Sequence, residues 1–364
     1  MHFNETPEKY YHSKKDLNLN RYEKGVYKEI SNTSCYTSIL SIGIWRLFGG
    51  QIARNESEKV FYKSIESGLN HIDCANGYGR PPGSAEEEFG RLLKRLSYMR
   101  DELIISSKAG YEMLPGPNGS GSSLKHLRSQ IEGSLKRLKL DYVDIFYTHR
   151  YASDCSLEVV ADSLKYLHDK GYFLYAGISS YPEKELNKII SLLIEREIPI
   201  GPLQYNISLM NLDYLRKCRS CYEKWGITTI AFSPLSQGII TSSYVKGEKD
   251  MKSRLFDEST TVIEPTDEGK NILNKLTNKL DTINFSLEEY AIGWLISKNF
   301  ICSAVYGPRI ESQILKMKRL KELINLIKDE KFIDEEREFM ELKTLKEIDK
   351  WKPRSTNQAF DIIN

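Results

Sequence analysis

The chain has 364 residues, 40% of them hydrophobic, and 52 lysines and arginines against 50 aspartates and glutamates leave a net charge of +2. That length can bury a full core as one large domain or two medium ones, and so small a charge excludes an electrostatic case for nucleic acid or an anionic membrane surface. The six cysteines are scattered, which excludes a disulfide framework; Cys218 and Cys221 form a C-x-x-C inside a helical pattern, with no second pair and no nearby histidine, and read as two thiols on a helix of a cytosolic protein.

In chain order, residues 1–35 are polar and rich in tyrosine, and are expected to cover one end of the fold. MHFNETPEKYYH does not resemble a signal peptide and no apolar run reaches the length of a membrane span, so a cytoplasmic protein is expected. Beyond residue 35, short β-rich runs alternate with amphipathic helical runs. Strands are expected at Leu40–Trp45, Asn70–Ala75, Leu103–Lys108, Asp144–His149, Leu174–Ser180, Pro202–Asn206, Thr228–Pro234 and Cys302–Gly307. Helical patterns follow them, beginning near Ser57, Ser84, Ser123, Ser156, Pro182, Leu212, Ser286 and Ile310. Ser84-Ala-Glu-Glu and Ser286-Leu-Glu-Glu each read as a cap with a capping box, and Pro182 suits a first helical turn, which needs no amide proton.

Eight strand–helix units in one chain predict an α/β fold, a single-domain (β/α)8 TIM barrel. An open doubly wound sheet is the alternative, but it usually carries a glycine-rich fingerprint after its first strand, and Gly43-Ile-Trp-Arg-Leu-Phe-Gly-Gly holds no G-x-G-x-x-G. The longest interruption, Thr241–Lys270, falls between the seventh strand and its helix; polar connections of that length are usually functional or disordered. Lys321–Asn364 reads as an extra helical tail. The organisation expected is therefore a polar cap over 1–35, the barrel over 36–345 and a tail over 346–364.

Catalytic groups of such a barrel gather at the C-terminal ends of its strands. In NHIDCANGYG, residues 70–79, Ile72 and Cys74 face one way, and the strand breaks into a loop carrying Asp73 and then Tyr78. The third strand ends in Lys108 and the fourth in His149. Taken singly, each has an ordinary explanation: a turn-forming acid, a packing phenol, a snorkelling lysine, a core histidine bonded to backbone. Together, three adjacent strand ends deliver an acid, a phenol, an ammonium and an imidazole to one mouth. A phenol is a poor proton donor at neutral pH unless a cation lowers its pKa, and Lys108 would be that cation. Asp73 would hold the lysine, and His149 would orient a carbonyl oxygen toward Tyr78. Such a set serves carbonyl reduction by general acid catalysis, with no metal site and no activated serine or cysteine.

The pattern D-x-x-x-x-Y at Asp73 and Tyr78, with Lys108 and His149, resembles the catalytic tetrad of the aldo-keto reductases. NGYGRPPGSAEEEFGRLLKR, ELIISSKAGYEMLPGPNGSG and GSLKRLKLDYVDIFYTHR resemble the branch that holds bacterial glyceraldehyde-phosphate reductases and lies near the potassium-channel β subunits. The resemblance implies a nicotinamide cofactor, normally NADPH, across the barrel mouth. By it, Ile44, Trp45, Gln51 and Asp73 would border the cofactor, and Ser179 and Ser180 would bind the carboxamide. Phe232 would stack on the nicotinamide, and Ser233, Pro234, Leu235 and Gly238 would wrap the pyrophosphate. Ser253 and Arg254 would clamp it from above. Gly307, Arg309 and Gln313 would meet the adenosine phosphate, a guanidinium at Arg309 suiting a 2′-phosphate.

Four positions depart from the family pattern. The carboxamide-binding glutamine is Gln204 when counted from Ile198-Pro199, but its place falls to Pro202 when counted back from Tyr205-Asn206. A loop lysine common in relatives is Ser243, just before Tyr244, and two adenine-binding positions are Lys316 and Met317. Two functions are weighed: an NADPH-dependent reductase of aldehydes or ketones, and a cofactor-binding, redox-sensing regulatory subunit like the channel β subunits. Those subunits carry Asn where this chain has His149, which favours the enzyme. The partner expected is a small-molecule carbonyl; a homo-oligomer is compatible with the sequence. The loops Met113–Ser122 and Thr241–Lys270 and the C-terminal tail would set specificity.

Overall fold

A computed structural model describes residues 21–22, 25–50, 52–248, 267–316 and 319–327. Strands β1 (Tyr27–Glu29) and β2 (Tyr36–Ser38) form an antiparallel hairpin. The barrel follows: β3 (Leu40–Gly43), β4 (His71–Asp73), β5 (Ile104–Ala109), β6 (Val143–Thr148), β7 (Phe173–Ser179), β8 (Ile200–Asn206), β9 (Thr229–Phe232) and β10 (Ile301–Tyr306). These eight strands pair in parallel in chain order, and β10 returns to β3, so the sheet closes as the (β/α)8 pattern predicts.

Around it lie α1 (Arg54–Glu66), α2 (Ser84–Arg95), α3 (Leu124–Leu138), α4 (Leu157–Asp169), α5 (Glu183–Glu195), α6 (Asp213–Trp225), α7 (Ser242–Val245), α8 (Asp267–Thr282), α9 (Leu287–Ser297), α10 (Glu311–Lys316) and α11 (Leu320–Ile327). Two local expectations are corrected. The cap of α2 is Gly83, in a left-handed conformation at φ 91°, and Ser84 is already helical. Glu87, the acid such a box would use, stays exposed, while its neighbours turn inward: Glu86 accepts from Ser107 and pairs with Arg137 at 2.9 Å, and Glu88 accepts from the Gly49 amide. Helix α8, unforeseen, enters from within the long connection, with Leu273, Leu276 and Leu280 buried on one face. The capping box at Ser286 and Glu289 forms as expected, and Pro182 stands one residue ahead of α5, as its cap.

Strand alternation sorts the two layers of the core. Ile72 and Cys74 face the helices, where they join the large apolar cluster. His71 and Asp73, on the opposite face of β4, point to the barrel axis, as do Ser41, Ser106, Lys108, Gln204 and Ser303. The interior is therefore unusually polar. Tyr147 crosses it, and a Cβ on Gly177 would lie 2.3 Å from that ring, so β7 requires glycine there.

One end of the barrel is shut. Ile30, between β1 and β2, is buried against Ile145 and Tyr147. The Ser31 amide donates to Thr228 Oγ1 and the Ser31 hydroxyl to the Gly201 carbonyl. Lys28 Nζ donates to the carbonyls of Ile296, Lys298 and Ile301 at 2.5–2.9 Å. Gly201, Thr228 and Ile301 stand at the N-terminal ends of β8, β9 and β10, leaving the opposite end as the mouth. Among the described residues no helix is long and apolar enough to cross a membrane.

Candidate active site

Strand β4 delivers Asp73 and β5 delivers Lys108 to neighbouring positions at the barrel mouth. Lys108, fully buried, donates to Asp73 Oδ2 at 2.7 Å, to the Cys74 carbonyl at 2.6 Å and to Tyr78 Oη at 3.3 Å. Three acceptors suit an ammonium with three protons. The loop after β4 is tied down by the Asn76 amide on the Lys108 carbonyl and the Asn76 side chain on Gln130. Gly79 makes its turn at φ +94°, where a Cβ would lie 2.2 Å from Ser84 Oγ and 2.6 Å from the Ala85 amide. That close approach aims Tyr78 back over the barrel.

His149 follows β6, held by its amide on the Ala109 carbonyl at 2.8 Å. Its ring stands edge-on to Tyr78 with centroids 6.0 Å apart, and to Tyr111 at 4.6 Å. Its Nδ1 is buried without a hydrogen-bond partner. Burial first, then the charges of Lys108 and Arg150, hold the imidazole well below its usual pKa, so it is neutral at physiological pH. Burial, then the Asp73 charge, hold the Tyr78 phenol well above the ordinary 10. This corrects the expectation of a depressed phenol: the Lys108 contact at 3.3 Å is present, but desolvation outweighs it. The resting site thus keeps Tyr78 protonated beside an uncharged imidazole.

The rim residues stand as follows. Ile44 is buried and its amide donates to the Asp73 carbonyl; the Trp45 ring lies 6.2 Å from that of Tyr78. Ser179 ends β7 and Ser180 follows it, their hydroxyls 3.4 Å apart. Phe232 ends β9, half-buried, and Ser233, Pro234, Leu235 and Gly238 form the turn beyond it. Gly307 lies just past β10, and the Arg309 amide donates to Gln313 Oε1 at 2.7 Å. Gln51, Ser253, Arg254, Met317 and the Lys316 side chain lie outside the described residues. Of the two readings at β8, Gln204 is the polar one that reaches inward: its Nε2 donates to Asp73 Oδ1 at 2.7 Å.

Residues 39–343 match the Aldo/keto reductase family. The chain belongs to that family. The L-glyceraldehyde 3-phosphate reductase of Escherichia coli strain K12 is 37% identical over 311 residues, 82% of this chain and 88% of its own. A probable voltage-gated potassium channel subunit beta of Arabidopsis thaliana is 29% identical over 311 residues, 83% of this chain and 92% of its own. As an aldo-keto reductase the chain is an oxidoreductase.

Some polar groups of this aldo-keto reductase were not foreseen. Gln237, at φ 64° in the turn after β9, buries its Oε1 with no partner; a lone glutamine in LSQG carries no signal for that. His71 and Ser106 bond to each other and to Asp73's surroundings inside the barrel. For His71 a signal existed, since it precedes Asp73 by two residues and so shares its strand face. The Cys218 and Cys221 thiols are buried on α6 and pushed up to about 12 by that burial, the state of packed rather than reactive thiols.

Proposed function

We propose that the chain is an NADPH-dependent reductase of a small aldehyde or ketone, with Tyr78 as the proton donor. One observation carries this reading: Tyr78 Oη stands 3.3 Å from a Lys108 ammonium that is itself paired with Asp73, beside the unpartnered Nδ1 of a neutral His149. A neutral imidazole can hydrogen-bond a substrate oxygen without donating its charge to it. Tyr78, protonated, then gives its proton to that oxygen as it becomes an alkoxide, a far stronger base than a phenolate. Lys108 sits where it stabilises the phenolate left behind, and Asp73 fixes the lysine head at 2.7 Å.

The mouth fits a dinucleotide. Ser179 and Ser180 offer hydroxyls for a carboxamide, and Phe232 an aromatic face for a ring. Ser180, Ser233, Ser236 and Gln237 all hold left-handed backbone, φ 45–64°, around this rim, and such conformations cluster at ligand sites. Ser179, Ser180, Phe232, Ser233, Leu235, Gly238 and Arg309 would hold NADPH, whose nicotinamide supplies the hydride. The regulatory-subunit reading is weaker, because a sensor needs no imidazole placed edge-on to the phenol at 6.0 Å.

The test is the loss of near-ultraviolet NADPH absorbance with a panel of small aldehydes, L-glyceraldehyde 3-phosphate among them because a relative's name carries it. Wild type should oxidise NADPH with at least one. Tyr78→Phe should lower kcat by about 10²–10⁴ while binding NADPH as before. A Tyr78→Phe protein that turns over normally would remove the phenol from the mechanism.

A further inference from the structure

We propose that Gln130, on α3, is a positioning residue for Tyr78: its side-chain carbonyl holds Asn76 and so fixes the loop that carries the phenol. The inference rests on the reductase reading and adds to it a residue that lies outside the mouth.

The Tyr78 loop is held from two sides. On one, the Tyr78 carbonyl accepts from the Gly83 and Ala85 amides at 3.1 Å each, where α2 begins. On the other, the grip comes from β5, α3 and the connection between them. The Asn76 amide donates to the Lys108 carbonyl at 3.1 Å, and Asn76 Nδ2 donates to Gln130 Oε1 at 3.0 Å. At the next residue, a Cβ on Gly77 would lie 3.5 Å from Met113 Sδ, an ordinary contact. The Lys108 carbonyl is part of the strand, so Gln130 is the polar contact of this grip that a side chain supplies.

Packing alone does not call for a glutamine there. The buried face of α3 is mostly apolar, with Leu127, Ile131, Leu135 and Leu138, and a leucine at position 130 would extend it. The glutamine is buried, and its one side-chain hydrogen bond among the described residues is the one to Asn76. Asn76 in turn depends on Gln130. It is fully buried and its Oδ1 has no partner, so without Gln130 both polar ends of the amide would be bare. A buried amide with no partner is costly, and the loop lowers that cost by moving until water or another group reaches it. Asn76 stands two residues from Tyr78, whose Oη is 3.3 Å from Lys108 Nζ. Such a movement acts directly on the proton donor, and misplacing a reacting group by about 1 Å can cost about a hundredfold in rate.

The test separates kcat from cofactor binding. In Gln130→Leu, kcat should fall by about tenfold or more, while the NADPH Kd, titrated by fluorescence, stays within about twofold of wild type. Gln130→Glu should keep kcat within about threefold, because a carboxyl group still offers Asn76 an accepting oxygen. Asn76→Ala, which leaves no buried amide, should lose about as much kcat as Gln130→Leu, and the double variant should lose no more than either alone. If Gln130→Leu does not fold, Asn76→Ala decides by the same two measurements. An unchanged kcat in the folded variants, a Gln130→Glu no better than Gln130→Leu, or losses that multiply in the double variant overturns the proposal. A parallel loss of NADPH affinity overturns it too, since that would mean a general loosening of the mouth. A second readout needs no turnover. The ring 13C NMR signals of Tyr78, assigned by difference against Tyr78→Phe, sense the rings of Trp45 and His149 at 6.2 and 6.0 Å. They should shift in Gln130→Leu and hold in Gln130→Glu; signals that Gln130→Leu leaves unmoved overturn the proposal. If wild type reduces no carbonyl, the reductase reading fails, while the NMR comparison still judges the grip on Tyr78.

Discussion

Lys108 is where the electrostatics of the site converge. Its ammonium is fully buried between Asp73, the Cys74 carbonyl and Tyr78, at 2.7, 2.6 and 3.3 Å. Removing one member of a buried ion pair strands the other charge, a loss of about 3–5 kcal/mol, whereas replacing both by neutral groups is often close to neutral. Lys108→Met should therefore destabilise strongly, and adding Asp73→Asn should restore much of that loss. Turnover should follow a different course, falling by about 10²–10⁴ in the single variant and staying down in the double. Urea denaturation and NADPH oxidation, run on wild type, the single and the double variant, separate the two effects. A Lys108→Met protein as active as wild type would refute the assignment of Lys108.

At the scale of elements, the site depends on how α2 is seated, since α2 begins where the Tyr78 loop ends. Glu86 fastens it to Ser107 on β5 and Arg137 on α3. Gly90 lets it lie close to α3: a Cβ there would stand 2.1 Å from the Arg137 carbonyl and 2.9 Å from Leu138 Cα. In an open helix Gly→Ala stabilises by about 0.5–1 kcal/mol. Here the backbone contact should reverse the sign, and Gly90→Ala should cost about 1–3 kcal/mol, read as a lower urea midpoint with an unchanged slope. A higher midpoint would mean that α2 and α3 part without penalty. The register of such a crossing was not legible beforehand. The Ser84 motif has the letters of a capping box, yet the helix begins one residue earlier, with Gly83 as its cap, so Ser84 is already helical and Glu87 stands exposed with no cap to close.

At the scale of the molecule, the barrel is closed at one end by the hairpin of β1 and β2 and works at the other. Ile30 is the plug, 2% exposed and packed on Ile145 and Tyr147. Ile30→Ala should cost about 2–5 kcal/mol through the lost contacts and the space left behind. Because Ile30 belongs to the end away from Tyr78, kcat of the folded protein should hold. Thermal unfolding and turnover measured well below Tm check both halves; a fall in kcat under those conditions would show the two ends to be coupled.

The amino-acid sequence by itself determined the barrel and the grouping of Asp73, Tyr78, Lys108 and His149. Alternating strands and helices repeat often enough to demand closure, and closure brings consecutive strand ends together whatever fills the interior. It also determined which face of β4 meets the helices, because side chains alternate strictly along a strand. What only the tertiary structure decided are the contacts made across the barrel and the state of the groups there. Gln204 reaches Asp73 over 131 residues of sequence, from a strand that is not its neighbour, and such a contact follows from barrel diameter and rotamer rather than from any local pattern. The phenol's rise above its ordinary pKa has the same origin: charge and spacing argued for depression by Lys108, but the depth of burial belongs to the packed whole, and desolvation is the larger effect.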